Sequence, residues 1–295
     1  MTESEASKNR EPGKTSLFGH LWVMLYAFLM FMFVRNIAMY AVNFLILELF
    51  GKADTALSRF FFTRNMSGEL DGITGNAQVL MSAAGFLCGI IPIFSMAKRF
   101  IGESRADYEK SGKAKRHELD YGILSLLDIG AVLFLNISFE LTHITDRYRT
   151  YMEGKTDPYS ANIVIGLICY GIISPAAEEL LFRGIIFNYL KRIMKLQWVI
   201  ILSAALFGLY HMNAVQGAYA FIMGLLFGYF YEYFGDFAVP VLLHMISNVT
   251  AYLMSYTKIG ASTLDSVTVA AVSALVFALG MFYFVNKSKK EEKKL

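Results

Sequence analysis

Apolar residues along this chain gather into about eight long runs, at 17–49, 74–97, 119–141, 159–190, 197–212, 214–234, 238–256 and 263–286. Within the runs the apolar positions are continuous rather than alternating. That pattern belongs to helices surrounded by hydrocarbon, not to strands of a barrel. Crossing a bilayer takes about 20 apolar residues in a helix, and most of the runs supply them. The run at 197–212 is short, while 17–49 and 159–190 exceed one crossing and predict tilt or extension past the hydrocarbon. The expected fold class is therefore all-α, a polytopic membrane helical bundle of about eight transmembrane helices. The layout is a tail at 1–16, an integral membrane domain at 17–286 and a basic tail at 287–295, with no internal repeat and no soluble domain. The first run is too long for the apolar part of a secretory signal, and no small-residue cleavage site follows it, so it reads as the first membrane helix.

Composition agrees. Hydrophobic residues make up 56% of the chain and charged residues 17%, outside the ordinary shares of a soluble domain. Cys88 and Cys169 both fall inside apolar runs and read as small buried hydrophobes, without disulfide or metal. The formal net charge of +3 says less than its distribution. Lys8, Arg10 and Lys14 precede the first run. Lys98, Arg99, Arg105, Lys110, Lys113, Lys115 and Arg116 lie in the 98–118 loop, and Lys191, Arg192 and Lys195 follow the fourth run. Lys287, Lys289, Lys290, Lys293 and Lys294 close the chain. The other side holds Lys52, Arg59, Arg64, Arg147, Arg149, Lys155 and Lys258. Positive charge concentrates on the cytoplasmic side, which predicts a multi-pass cell-membrane protein with both termini in the cytoplasm. The terminal "KKEEKKL" reads as a solvated flank of the last helix.

Against this background the segment "SPAAEELLFRGII" stands out. A charge at membrane depth costs roughly 2.5–3.5 kcal/mol unless it is paired or lines a cavity. Glu179 and Arg183 are spaced i, i+4 and share a helix face, so they can pair. Glu178 points about 100° away and is left available. Pro175, lacking an N–H, is expected to free the carbonyl of Gly171 and to kink or widen the helix there. Two later runs bring further polar groups. "FGLYH" ends on His211 with Phe207 one turn before it, and "HMISN" sets His244 and Asn248 on one face. At about 1.5 Å per residue from the cytoplasmic ends, Glu178 and His211 lie roughly 20 Å deep, Asn248 near 15 Å and His244 near 9 Å. One cavity open to the cytoplasm can hold all four.

Each element has an ordinary explanation: a packing bridge for Glu179 and Arg183, an interhelical hydrogen bond for a histidine or for Asn248, plain packing for Phe207. Together they supply two carboxylates, two imidazoles, a guanidinium and an amide, more than packing requires. A carboxylate and an imidazole can hold a water and take its proton. A second imidazole and an amide can donate to a developing oxyanion. No serine or cysteine in these clusters has an evident base partner, so no covalent nucleophile is called for. Glu178, His211 and His244 as two-His, one-carboxylate zinc ligands are the competing reading, weakened by the absence of H-E-x-x-H on one helix. The expectation is catalysis without a cofactor, with zinc as the alternative.

"EELLFRG" at 178–184, "FGLYH" at 207–211 and "HMISN" at 244–248 resemble the three ordered motifs, EExxxR, FxxxH and HxxxN or HxxxD, of the CAAX protease and bacteriocin-processing (CPBP, or Abi) family, which contains the type II CAAX prenyl endopeptidases. The connecting "GLLFGYFYEYFGDFAVPVLLH" is similar as well, and the resemblance spans roughly 174–252, making 159–256 the expected core. It implies an intramembrane endopeptidase. Glu178 with His211 would activate water, His244 and Asn248 would form the oxyanion hole, and Glu179, Arg183 and Phe207 would support the site. The partners implied are the lipid bilayer and a peptide or membrane-protein substrate, with no nucleic acid; the sequence sets no oligomeric state. Two other classes compete: a non-catalytic binding or scaffold protein, serving toxin immunity or kinase regulation, and a proton-coupled transporter, disfavoured by the absence of inverted repeats.

Overall fold

The computed structural model describes residues 17–112, 117–144, 160–257 and 263–292. The expected tail at 1–16, the basic residues Lys113, Lys115, Arg116, Arg147, Arg149, Lys155, Lys258, Lys293 and Lys294, and the first residue of the 159–190 run lie outside these. Among the described residues ten α-helices follow in order: α1 (Leu17–Phe50), α2 (Ala56–Phe61), α3 (Gly75–Gly89), α4 (Phe94–Lys110), α5 (Glu118–Leu141), α6 (Ile163–Leu190), α7 (Leu196–Tyr210), α8 (Ala214–Phe234), α9 (Ala238–Thr257) and α10 (Thr263–Glu292). Seven helical segments are long and apolar enough to cross a membrane, with α3 and α4 counted as one, and α7 is a shorter apolar helix. The protein is thus a multi-pass helical membrane bundle, as the apolar runs predict.

Two stretches differ from the sequence reading. The 98–118 loop is helical as far as Lys110, because α3 passes through a short turn at Ile91–Ile93 straight into α4. Pro92 sits in that turn, where a missing N–H costs little. Beyond it, Arg99–Glu103 and Arg105–Glu109 pairs at i, i+4 support the helix outside the apolar region. The all-α expectation also omits a two-stranded antiparallel ribbon between α1 and α3. Strand β1 (Phe62–Arg64) pairs with β2 (Leu70–Ile73) in the register Phe62↔Ile73, Thr63↔Gly72 and Arg64↔Leu70. Arg64 staples it, donating to the Gly68 carbonyl at 2.6 Å and to the Gly51 carbonyl at 2.9 Å. Strands of three and four residues are too short for a period-2 pattern to register.

Aromatic side chains fill the interior. Phe182, Phe187, Phe207, Phe227, Phe230 and Phe284 are essentially sealed from the surface. Small residues bring α7 and α8 together. A Cβ on Gly208 would stand 2.7 Å from the Gly217 carbonyl oxygen, and one on Gly217 would stand 2.9 Å from that of Gly208. This close approach holds His211, at the end of α7, against the rest of the bundle.

The basic residues meet acidic ones from other helices at one end of the molecule. Lys191, after α6, reaches Glu232 of α8 at 2.5 Å, and Lys287 of α10 reaches Asp120 of α5 at 2.5 Å. Arg192 pairs with Glu103 of α4, and the Tyr108 hydroxyl donates to the Tyr233 carbonyl. The ends of α4, α6, α8 and α10 and the start of α5 therefore share one face. Charge groups that are far apart in sequence become one basic rim.

Candidate active site

α6 is not a regular α-helix. Residues Cys169–Ile173 and Leu180–Phe187 form wider π turns on either side of the regular Ser174–Glu179. Such turns recur at functional sites. Pro175 explains the first. In the wider register the Ser174 N–H donates to the Cys169 carbonyl, and the next bond in the series would run from residue 175 to the carbonyl of Tyr170. Proline has no N–H to make it. In this register the missing N–H stands opposite the Tyr170 carbonyl, where a regular α register would put it opposite Gly171. Asn248 of α9 reaches that carbonyl, its Nδ2 donating to the Tyr170 oxygen at 3.0 Å. A buried orphan carbonyl costs about 1–3 kcal/mol, so this bond holds α9 against the break in α6.

The two glutamates divide as their spacing predicts. Glu179 is completely buried, and its Oε1 accepts from Arg183 Nη1 at 2.8 Å. Arg183, equally buried, spends Nη2 on the Gly224 carbonyl of α8 at 3.0 Å. Its guanidinium lies over the Phe207 ring at 4.8 Å and near that of Phe227 at 5.4 Å. Glycine at 224 permits this contact, since a Cβ there would be 3.3 Å from Arg183 Nη2 and 3.1 Å from Ala204.

Glu178 takes no part in that pair. Its Oε1 accepts from the Ser174 hydroxyl at 3.1 Å, and its Oε2 faces His244 Nε2 across 3.7 Å. The other nitrogen of His244, Nδ1, lies 2.8 Å from Glu179 Oε1. A carboxylate accepts, so Nδ1 carries the proton of this contact and Nε2 is the nitrogen turned toward Glu178. Glu179 thus orients His244 as well as Arg183, a second duty that sequence spacing did not reveal. The 3.7 Å gap is too long for a direct hydrogen bond and suits a group held by both sides.

His211 caps the end of α7. Its Nδ1 lies 2.9 Å from the Phe207 carbonyl, which requires an N–H there and leaves Nε2 as the free lone pair. Met212 follows with φ of 53°, the left-handed turn that ends the helix. Phe207 joins the two histidines, its ring meeting His211 at 5.1 Å and His244 at 5.4 Å, both edge to face. Glu178, Glu179, Arg183, Phe207, His211 and His244 therefore form one contiguous group across α6, α7 and α9, while Asn248 attaches to it through the Tyr170 carbonyl. Ser174 and Gly224 complete it. The sequence reading named neither: Ser174 carries a signal, standing one turn before Glu178, while nothing in the sequence marks Gly224 as a carbonyl acceptor.

Glu178 Oε2 and His244 Nε2 are spaced as two ligands of one ion could be, but among the described residues no third His, Cys, Asp or Glu side chain joins them.

Fold and site together define a multi-pass membrane protein with a buried acid–base cluster. Residues 160–250 match the family model described as type II CAAX prenyl endopeptidase Rce1-like, and this segment contains every member of the cluster. The matched segment is under half of the chain. No curated protein and no solved structure matches the chain.

Proposed function

We propose that the protein is an intramembrane endopeptidase in which Glu178 activates water without a metal. The observation that carries this reading is the exclusion of Glu178 from the Arg183 ion pair while it faces His244 Nε2 at 3.7 Å. A water bound by Glu178 and the free Nε2 of His211 gives its proton to the carboxylate as its oxygen attacks the scissile carbonyl. The resulting oxyanion is met by His244, which Glu179 holds through Nδ1, and by the second N–H of Asn248. Glu178 then passes the proton to the amine nitrogen as the C–N bond breaks, leaving a carboxylic acid and an amine.

The basic rim supports a cytoplasmic placement of both termini, so the substrate is a peptide or membrane-tethered chain presented from that side. The test compares wild type with Glu178→Gln, purified in detergent, on a defined mixture of apolar peptides read by mass spectrometry. Cleavage is expected only in wild type. Equal cleavage by Glu178→Gln removes Glu178 as the base. In cells, a phenotype retained by Glu178→Gln would instead mark a scaffold.

A further inference from the structure

Among the described residues Arg35 of α1 forms no ion pair. Between Leu17 and Leu47 the only charged side chain is Arg35. Among the described residues every other arginine forms an ion pair: Arg59, Arg64, Arg99, Arg105, Arg183 and Arg192. Arg35 has none, its guanidinium lying over the Phe86 ring at 4.4 Å with Nε buried and without a hydrogen-bond partner. Arg35 as a whole is half-buried, and for its buried Nε a ring face replaces only part of an anion's attraction.

Its position is informative. Arg35 lies roughly 27 Å along α1 from Leu17 and roughly 22 Å from Phe50 at 1.5 Å per residue, near the middle of the helix and far from lipid phosphates at either end. Phe28, Phe31 and Arg35 share one face of α1 by their spacing. Phe31 meets Phe86 at 6.2 Å, and Phe28 meets Tyr210 of α7 at 6.3 Å, edge to face. This face therefore packs toward the residue before His211. The Tyr210 hydroxyl is buried without a hydrogen-bond partner among the described residues and lies within electrostatic reach of both Arg35 and Glu178. Arg35 and the Tyr210 hydroxyl, each with a buried donor atom lacking a partner among the described residues, thus lie where the face of α1 packs toward the end of α7.

The geometry points to Arg35, with the Tyr210 hydroxyl, as a specificity site for a carboxylate on the peptide substrate. This rests on the endopeptidase reading, and it supplies what that reading lacks, a polar feature by which a peptide is chosen and set in register. The carboxylate comes from the peptide's C-terminus or from an Asp or Glu side chain, since both present the same pair of acceptor oxygens to the guanidinium fork.

The experiment measures binding rather than turnover, on the full chain carrying Glu178→Gln in detergent. The probes are three dansylated forms of one apolar peptide: a free acid, its C-terminal amide, and an amide with Glu as the last residue. Fluorescence anisotropy should find one carboxylate form bound about tenfold to a hundredfold more tightly than the plain amide, the scale of a charge-assisted hydrogen bond. Which form it is identifies the source. Arg35→Gln should erase the preference and leave amide affinity unchanged. Arg35→Lys, which keeps the charge but not the fork, should reduce it, and Tyr210→Phe should lower it severalfold. Thermal unfolding checks each variant, and Tyr210→Phe carries the test if Arg35→Gln does not fold. Equal affinities, absence of binding by all three peptides, or a preference that survives both Arg35→Gln and Tyr210→Phe overturns the inference. So does a hydrolysis rate that Arg35→Gln lowers equally for acid and amide, which would make Arg35 a distant counter-charge to Glu178. A preference in a protein that hydrolyses nothing would leave the carboxylate site standing and remove the endopeptidase reading; hydrolysis without preference would do the reverse.

Discussion

Replacing Glu179 by glutamine should harm the fold more than the chemistry. The carboxylate has no exposure, and its Oε1 serves two donors, Arg183 Nη1 at 2.8 Å and His244 Nδ1 at 2.8 Å. Glutamine keeps the size and one acceptor oxygen, so the contacts survive in outline, but the charge opposing Arg183 disappears. Arg183 has no exposure either and cannot reach water; its remaining bond, to the Gly224 carbonyl at 3.0 Å, is to a neutral acceptor. Stranding one member of a buried pair costs about 3–5 kcal/mol. At about 2–4 °C per kcal/mol for a chain of this size class, unfolding in detergent should fall by roughly 6–20 °C. Adding Arg183→Met to Glu179→Gln should restore a good part of that loss, because the stranded cation is gone. Glu178→Gln, with a serine hydroxyl as its one close partner, should shift unfolding by no more than a few degrees. Differential scanning fluorimetry of the four proteins in one detergent provides the comparison. A Glu179→Gln protein as stable as wild type, or a double variant less stable than the single, would refute the reasoning.

Asn248→Ala and Asn248→Asp should each destabilise by about 1–3 kcal/mol, because neither can donate to the Tyr170 carbonyl; a neutral result in both would show that α9 does not hold the break in α6. In a background lacking Cys88 and Cys169, a cysteine at Ser111 should resist an impermeant label added outside intact cells and one at Ser67 should accept it, and the opposite pattern would invert the topology. Peptidase activity should persist in 1,10-phenanthroline; loss with chelator and recovery with zinc would turn Glu178 and the histidines into metal ligands.

The helices were legible because continuous apolar runs have one stable form in hydrocarbon, and their limits agree with the observed helices to within a few residues for most spans. The division of the glutamates was legible too, because i, i+4 spacing is a local property that survives into the folded chain, and the match of residues 160–250 to the Rce1-like model supports the motif reading. What lay beyond the sequence was contact between helices. Only tertiary packing decided that Glu179 holds His244 as well as Arg183, since 65 positions separate that pair, and no periodicity encodes such an encounter. The register of α6 likewise set the missing N–H of Pro175 opposite Tyr170 rather than Gly171, because a π turn shifts each hydrogen bond by one residue. Arg35 is the sharpest case. In sequence it is one charge in an apolar run; in the bundle it lies over Phe86, on the face of α1 that packs through Phe28 against Tyr210.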